Sequence, residues 1–159
     1  MVRTDDDAPD FTAPMRTPDG EITEFTLSEA IEDGPVVLAF FPGAFTSVCT
    51  GEMTTFRDRL DGLVDAGASL YGVSIDSPFS LGEFADQNEL NFPLVSDTNK
   101  EVIDAYDVVM DFADLGVFGV AKRSIFVVDG DGRITYAWVS DDPGVEPAYD
   151  EVEAAAKEA

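Results

Sequence analysis

The run Pro35-Val36-Val37-Leu38-Ala39-Phe40-Phe41 is apolar throughout and rich in strand formers. A strand with no polar face must be covered on both sides, as strands inside parallel sheets are. Pro42-Gly43 ends the run. After a short loop, apolar residues recur at Met53, Phe56, Leu60 and Leu63/Val64, at spacings of three and four. This pattern predicts a helix over residues 47–66, capped by Thr46 or Ser47 and stopped by Gly67. Leu70-Tyr71-Gly72-Val73-Ser74-Ile75 then predicts a second parallel strand, which completes a βαβ unit with the first strand at the centre of the sheet.

The flanking segments add to this unit. Ala8-Pro9-Asp10-Phe11 and a Pro18-Asp19-Gly20 turn followed by Ile22, Phe25 and Leu27 predict a small N-terminal β-hairpin. Downstream, the pattern predicts a helix near Ser80–Leu90, a strand at Phe92–Val95 and a helix near Asn99–Val109 capped from Asp97 or Thr98. Phe112 to Val120 is apolar but punctuated by Gly116 and Gly119, which suits a packed loop better than a helix or strand. Ile125–Val128, the turn Asp129-Gly130-Asp131-Gly132 and Ile134–Val139 predict an antiparallel hairpin, and a helix from Pro147 to Lys157 closes the chain. A βαβ unit followed by ββα is a thioredoxin-like order, here an α/β fold with an N-terminal hairpin extension. Residues 1–159 carry no repeat and no linker, so one domain is expected.

Composition removes most chemistries. There is no histidine, so Ser-His-Asp triads, Cys-His dyads and histidine metal ligands are excluded. Cys49 is the only cysteine, which excludes an intrachain disulfide, a CxxC pair and a cysteine zinc cage. The formal charge of -24 disfavours binding to nucleic acid or to an anionic membrane. With 21 Asp and 12 Glu against 3 Lys, a compact surface repels itself strongly at low ionic strength. At about 1 M salt the Debye length is roughly 3 Å, and the composition looks like that of extreme halophiles. The N-terminus lacks a hydrophobic signal region, and the longest apolar run is far too short to span a bilayer. A cytoplasmic protein is expected.

What remains is a single thiol. Cys49 follows the apolar strand and falls in the first turn of the predicted helix, where unpaired backbone N–H groups favour negative charge on sulfur. Ligands of parallel α/β sheets bind outside the carboxyl ends of strands, which predicts an exposed sulfur. The plain alternative is a small buried hydrophobe.

The segment Pro42-Gly43-Ala44-Phe45-Thr46-Ser47-Val48-Cys49 has the spacing P-x-x-x-T-x-x-C. It resembles the active-site motif of the peroxiredoxin family. The resemblance extends from Ala8-Pro9-Asp10-Phe11 to Lys122-Arg123-Ser124-Ile125-Phe126-Val127-Val128-Asp129. It implies that Cys49 attacks a peroxide oxygen, becomes a sulfenic acid and releases water or an alcohol. Thr46 would orient sulfur and peroxide, and Arg123 would stabilise the thiolate and the developing oxyanion. Pro42 would shield the sulfur, and Glu52, on the same helical face as Cys49, would support the site through an arginine. Each has an ordinary alternative: Thr46 a helix cap, Arg123 a surface ion pair, Pro42 a strand terminator, Glu52 a complement to the helix dipole.

Several peroxiredoxins carry a second cysteine five residues on, where this chain has Thr54. Cys49-Thr50-Gly51-Glu52 looks more like the one-cysteine alkyl hydroperoxide reductase E-type subgroup. The sulfenic acid would then be reduced by an external thiol, either a small molecule or a thioredoxin- or glutaredoxin-like protein, with no metal, haem or flavin. A peroxide sensor relaying oxidation to a partner, or a catalytically silent binding module, are the alternatives. The apolar Phe112–Val120 segment and the resemblance together point to a homodimer or larger assembly.

Overall fold

The computed structural model describes residues 2–159. In chain order the elements are β1 (Thr12–Arg16), β2 (Ile22–Thr26), α1 (Leu27–Ala30), β3 (Val36–Phe40) and α2 (Ser47–Asp65). There follow β4 (Ser69–Ser74), α3 (Pro78–Gln87), β5 (Leu94–Ser96), α4 (Glu101–Ala105), β6 (Val109–Phe112) and β7 (Val117–Ala121). The last are β8 (Ser124–Val128), β9 (Ile134–Val139) and α5 (Tyr149–Glu158). Seven strands form one sheet in the order β2-β1-β5-β4-β3-β8-β9, and β6 and β7 form a separate pair. This is the thioredoxin-like α/β arrangement.

All five residues of β3 are buried, because helices and loops cover both faces of the sheet. On one face lie Val37, Ala39 and Phe41 with Met53 and Phe56 of α2 and Val152 and Ala156 of α5. On the other lie Val36, Leu38 and Phe40 with Val102, Ile103, Tyr106 and Phe126. The alternation along β3 feeds two separate apolar layers, which is why its sequence shows no polar period. β3 is interior but not the middle strand: the N-terminal hairpin joins the sheet through β1 and β5, so β4 takes the middle place.

One register positions the site. β3 pairs parallel with β4 and antiparallel with β8, and Phe40 lies opposite Ser124. The carboxyl end of β3 and the start of β8 are thereby adjacent, with Arg123 immediately before that start.

Two further expectations are corrected. The helix predicted over Asn99–Val109 is only Glu101–Ala105. Asp97 does cap it, accepting from the N–H groups of Val102 at 3.1 Å and Ile103 at 2.9 Å. At Asp107, however, φ is 54°, which ends the helix, and the chain passes into β6. The Phe112–Val120 segment is no simple loop, because much of it belongs to the β6–β7 hairpin. Gly116, with φ of 68°, supplies the left-handed turn that lets this apolar stretch reverse, and Gly119, with φ of 66°, lies within β7 where the pairing register shifts. No helix among the described residues is long and apolar enough to cross a membrane.

Candidate active site

Cys49 is the third residue of α2, and Thr46 occupies the position before its first turn. The Thr46 hydroxyl makes no capping bond to the helix; it donates to the Gly43 carbonyl at 2.9 Å, so its side chain folds back over its own loop. Pro42 is buried, Thr46 is exposed, and both line a cavity of about 420 Å³ that also reaches Cys49 and Arg123. The remaining walls include Phe112, Leu115, Val117 and Val120 from the β6–β7 hairpin and Pro143-Gly144 from the loop after β9. The walls are therefore mainly apolar, and the Arg123 cation sits among them.

The expected exposure of the sulfur is corrected: Cys49 is only 1% exposed. It packs in the apolar layer with Met53 and Phe56, and the loop from Pro42 and the β6–β7 hairpin close around it. The simple buried-hydrophobe alternative does not describe it either, because a cation is bonded to it. Arg123 Nη2 donates to Cys49 Sγ at 3.2 Å, and Nη1 donates to Glu52 Oε1 at 2.6 Å. Nε and Nη2 also donate to the Pro143 carbonyl, at 3.2 and 2.9 Å. One planar guanidinium thus ties together α2, the start of β8 and the loop after β9.

Glu52 is fully buried, and its second oxygen, Oε2, has no hydrogen-bond partner among the described residues. Burial pushes its pKa up to about 7 against the pull of Arg123, with the Glu146 carboxylate adding to the rise. Burial also works against the charge on Arg123, but Glu52 and the Cys49 sulfur outweigh it and hold that pKa above its ordinary value. The arginine therefore stays charged and Glu52 is the member that titrates. Protonated Glu52 leaves the guanidinium charge less divided between carboxylate and sulfur.

This arrangement sets a pH dependence of stability. Since the folded pKa lies above the unfolded value near 4.5, the folded chain holds the extra proton between the two. Stability contributed by that proton is present below this window and is lost as pH rises through it. Denaturant unfolding from about pH 5 to about pH 7 should therefore show a steeper loss for the wild type than for Glu52→Gln. Equal slopes would contradict the assignment.

The structure brings all five sequence-predicted residues to one place. Lys122, next to Arg123, turns away and pairs with Asp141 at 2.8 Å. Sequence reasoning missed the Pro143 carbonyl and the β6–β7 wall. Ser140-Asp141-Asp142-Pro143-Gly144 has turn composition, but nothing in it marks a carbonyl aimed at a guanidinium.

A thioredoxin-like fold with an arginine-held thiol at a helix start, opening on a cavity, defines a thiol-based redox protein. Residues 4–137 match the AhpC/TSA family. The chain is 36% identical over 146 residues to the chloroplastic 2-cysteine peroxiredoxin of Chattonella marina var. antiqua, covering 87% of this chain and 71% of that one. It is 32% identical over 138 residues to peroxiredoxin Bcp of Escherichia coli, covering 86% and 85%. The crystal structure of peroxidoxin BcpB from Mycobacterium tuberculosis superposes with a TM-score of 0.85 at 31% identity, covering 99% of this chain and 98% of that one. The chain belongs to the AhpC/TSA family and is a peroxiredoxin, a thiol-dependent peroxidase with a single cysteine. The sensor and silent-module alternatives are not favoured.

Proposed function

We propose that Cys49 is the nucleophile, that Thr46 and Arg123 orient and polarise the peroxide, and that Pro42 and Glu52 shape and support the site. The bond from Arg123 Nη2 to Cys49 Sγ carries this reading. The Cys49 thiolate attacks one peroxide oxygen, the O–O bond breaks, and the leaving oxygen departs as water or an alcohol once protonated. Arg123 already sits where negative charge passes from sulfur to that oxygen. One external thiol then displaces water from the sulfenic acid to form a mixed disulfide. A second releases Cys49 and leaves as a disulfide. With one cysteine in 159 residues, both thiols come from outside the chain.

Rapid mixing with hydrogen peroxide or an organic hydroperoxide tests the first step. Cys49 should be oxidised orders of magnitude faster than a free thiol at the same pH, and a rate equal to a free thiol's would defeat the assignment.

The cavity of about 420 Å³ beside Cys49 supports a small thiol as reductant, with a thioredoxin- or glutaredoxin-like protein as the alternative. Steady turnover with such a thiol alone separates it from a protein thiol that must be added. The chain is proposed to work as one domain in a cytoplasm of high salt, as a homodimer. Leu115 at 76% and Phe118 at 59% exposure give the β6–β7 hairpin an apolar surface that a second copy would cover. The surface charge supports the salt proposal. The thermal midpoint and the dimer mass by light scattering should both be maintained in molar KCl, and the midpoint should fall by about ten degrees or more, equivalent to about 2.5–5 kcal/mol, at low salt. A flat salt titration would discard it.

A further inference from the structure

We propose that Asp76, which follows β4, is a positioning residue for the peroxidase reaction: it holds the Pro42–Thr46 loop in place over Cys49. This rests on the reading above in which Pro42 and Thr46 shape the peroxide site.

The loop has little to fix it from within. A Cβ placed on Gly43 would meet nothing within 4 Å, so no side-chain packing is available at that position, although Pro42 before it is buried and Ala44 after it packs partly on the core. Phe45 has φ of 68°, in the left-handed region that a bulky residue occupies only when its surroundings hold it. The Phe45 ring leans edge-on against Phe84 of α3 with centroids 5.5 Å apart, yet remains 53% exposed. The Thr46 hydroxyl bonds to Gly43, inside the same loop.

Asp76 supplies a tether from outside. Its Oδ2 accepts the N–H of Ala44 at 2.8 Å, midway between Pro42 and Thr46. The same oxygen accepts the hydroxyl of the buried Ser74 at 2.7 Å, which fixes the carboxylate's direction. The Asp76 carbonyl accepts the Ser96 hydroxyl at 2.6 Å, anchoring the residue to the end of β5. The strand ends thus present one rigid acceptor to the middle of a loop whose other outside ties are the packing of Pro42, Ala44 and Phe45. Asp76 does not line the cavity at Cys49, so it acts through the loop.

The test compares Asp76→Ala and Asp76→Asn in two reactions of Cys49: oxidation by hydrogen peroxide and alkylation by iodoacetamide. Asp76→Ala should slow oxidation by about 10- to 100-fold, the scale of a misplacement near 1 Å. Alkylation, which needs access but no peroxide orientation, should be unchanged or faster. Asp76→Asn keeps an oxygen acceptor and should bring oxidation back to within about threefold. Oxidation of Asp76→Ala within threefold of wild type, or an equal fall in both reactions, would overturn the proposal. If Asp76→Ala does not fold, Ser74→Ala decides by the same contrast, with a smaller loss of oxidation alone expected and parallel changes overturning it. Thr46→Val separates the levels. Wild-type oxidation in Thr46→Val defeats the underlying reading of the loop. Slow oxidation there, with fast oxidation in Asp76→Ala, defeats only the role of Asp76.

Discussion

Arg123→Ala is expected to lose peroxidase activity and stability together. Arg123 and Glu52 are 1% and 0% exposed and meet at 2.6 Å. Removing one partner of a buried ion pair costs about 3–5 kcal/mol, because the other is left uncompensated. The variant's Glu52 would escape part of that cost by taking up a proton, so the loss should be larger at alkaline than at acidic pH. Activity should fall by about 10²–10³ as the cation leaves the sulfur and the departing oxygen. The double variant Arg123→Ala with Glu52→Gln separates the two effects: it should recover much of the stability, read by denaturant unfolding, and none of the activity. Recovery of peroxide reduction in that double variant would show that the arginine acts only as a structural counterion.

Cys49→Ser should abolish thiol-dependent peroxide consumption while leaving a folded protein. The exchange keeps volume, and the hydroxyl can still accept from Arg123, so stability should change by no more than about 1–2 kcal/mol. A serine hydroxyl in this site has no adjacent histidine to take its proton, since the chain contains none. Peroxide consumption is read with the external thiol present, beside an unfolding curve. Residual turnover in a pure Cys49→Ser preparation would mean that another group carries the chemistry.

The helix bearing Cys49 was legible to within a residue or two because a continuous apolar strand, a Pro-Gly break and a regular apolar stripe follow one another. The hairpin β8–β9 was equally legible from its Asp-Gly turns. Pairing of Arg123 with Cys49 was not in the local pattern. It depends on the antiparallel register of β8 against β3, and the thioredoxin-like order, with the family resemblance beside it, supplied the expectation. What stayed hidden depends on backbone groups and long-range packing. The Pro143 carbonyl has no side-chain signature, and the burial of the sulfur needs the β6–β7 hairpin folded over it. The Phe112–Val120 stretch misled because two glycines read as interruptions when one makes the turn and the other sits at an irregularity inside β7. Asp76, in a chain with 21 aspartates, carried no mark of its own.

The sulfur and the guanidinium that grips it lie 74 positions apart in the chain. While the protein is being synthesised, the cysteine leaves the ribosome well before the arginine and passes that interval as an ordinary thiol. On the proposed reading, it gains its full reactivity only when β8 docks beside β3 and brings Arg123 to it. On that reading, the rate of Cys49 oxidation by peroxide reports whether the β3–β8 pairing has formed.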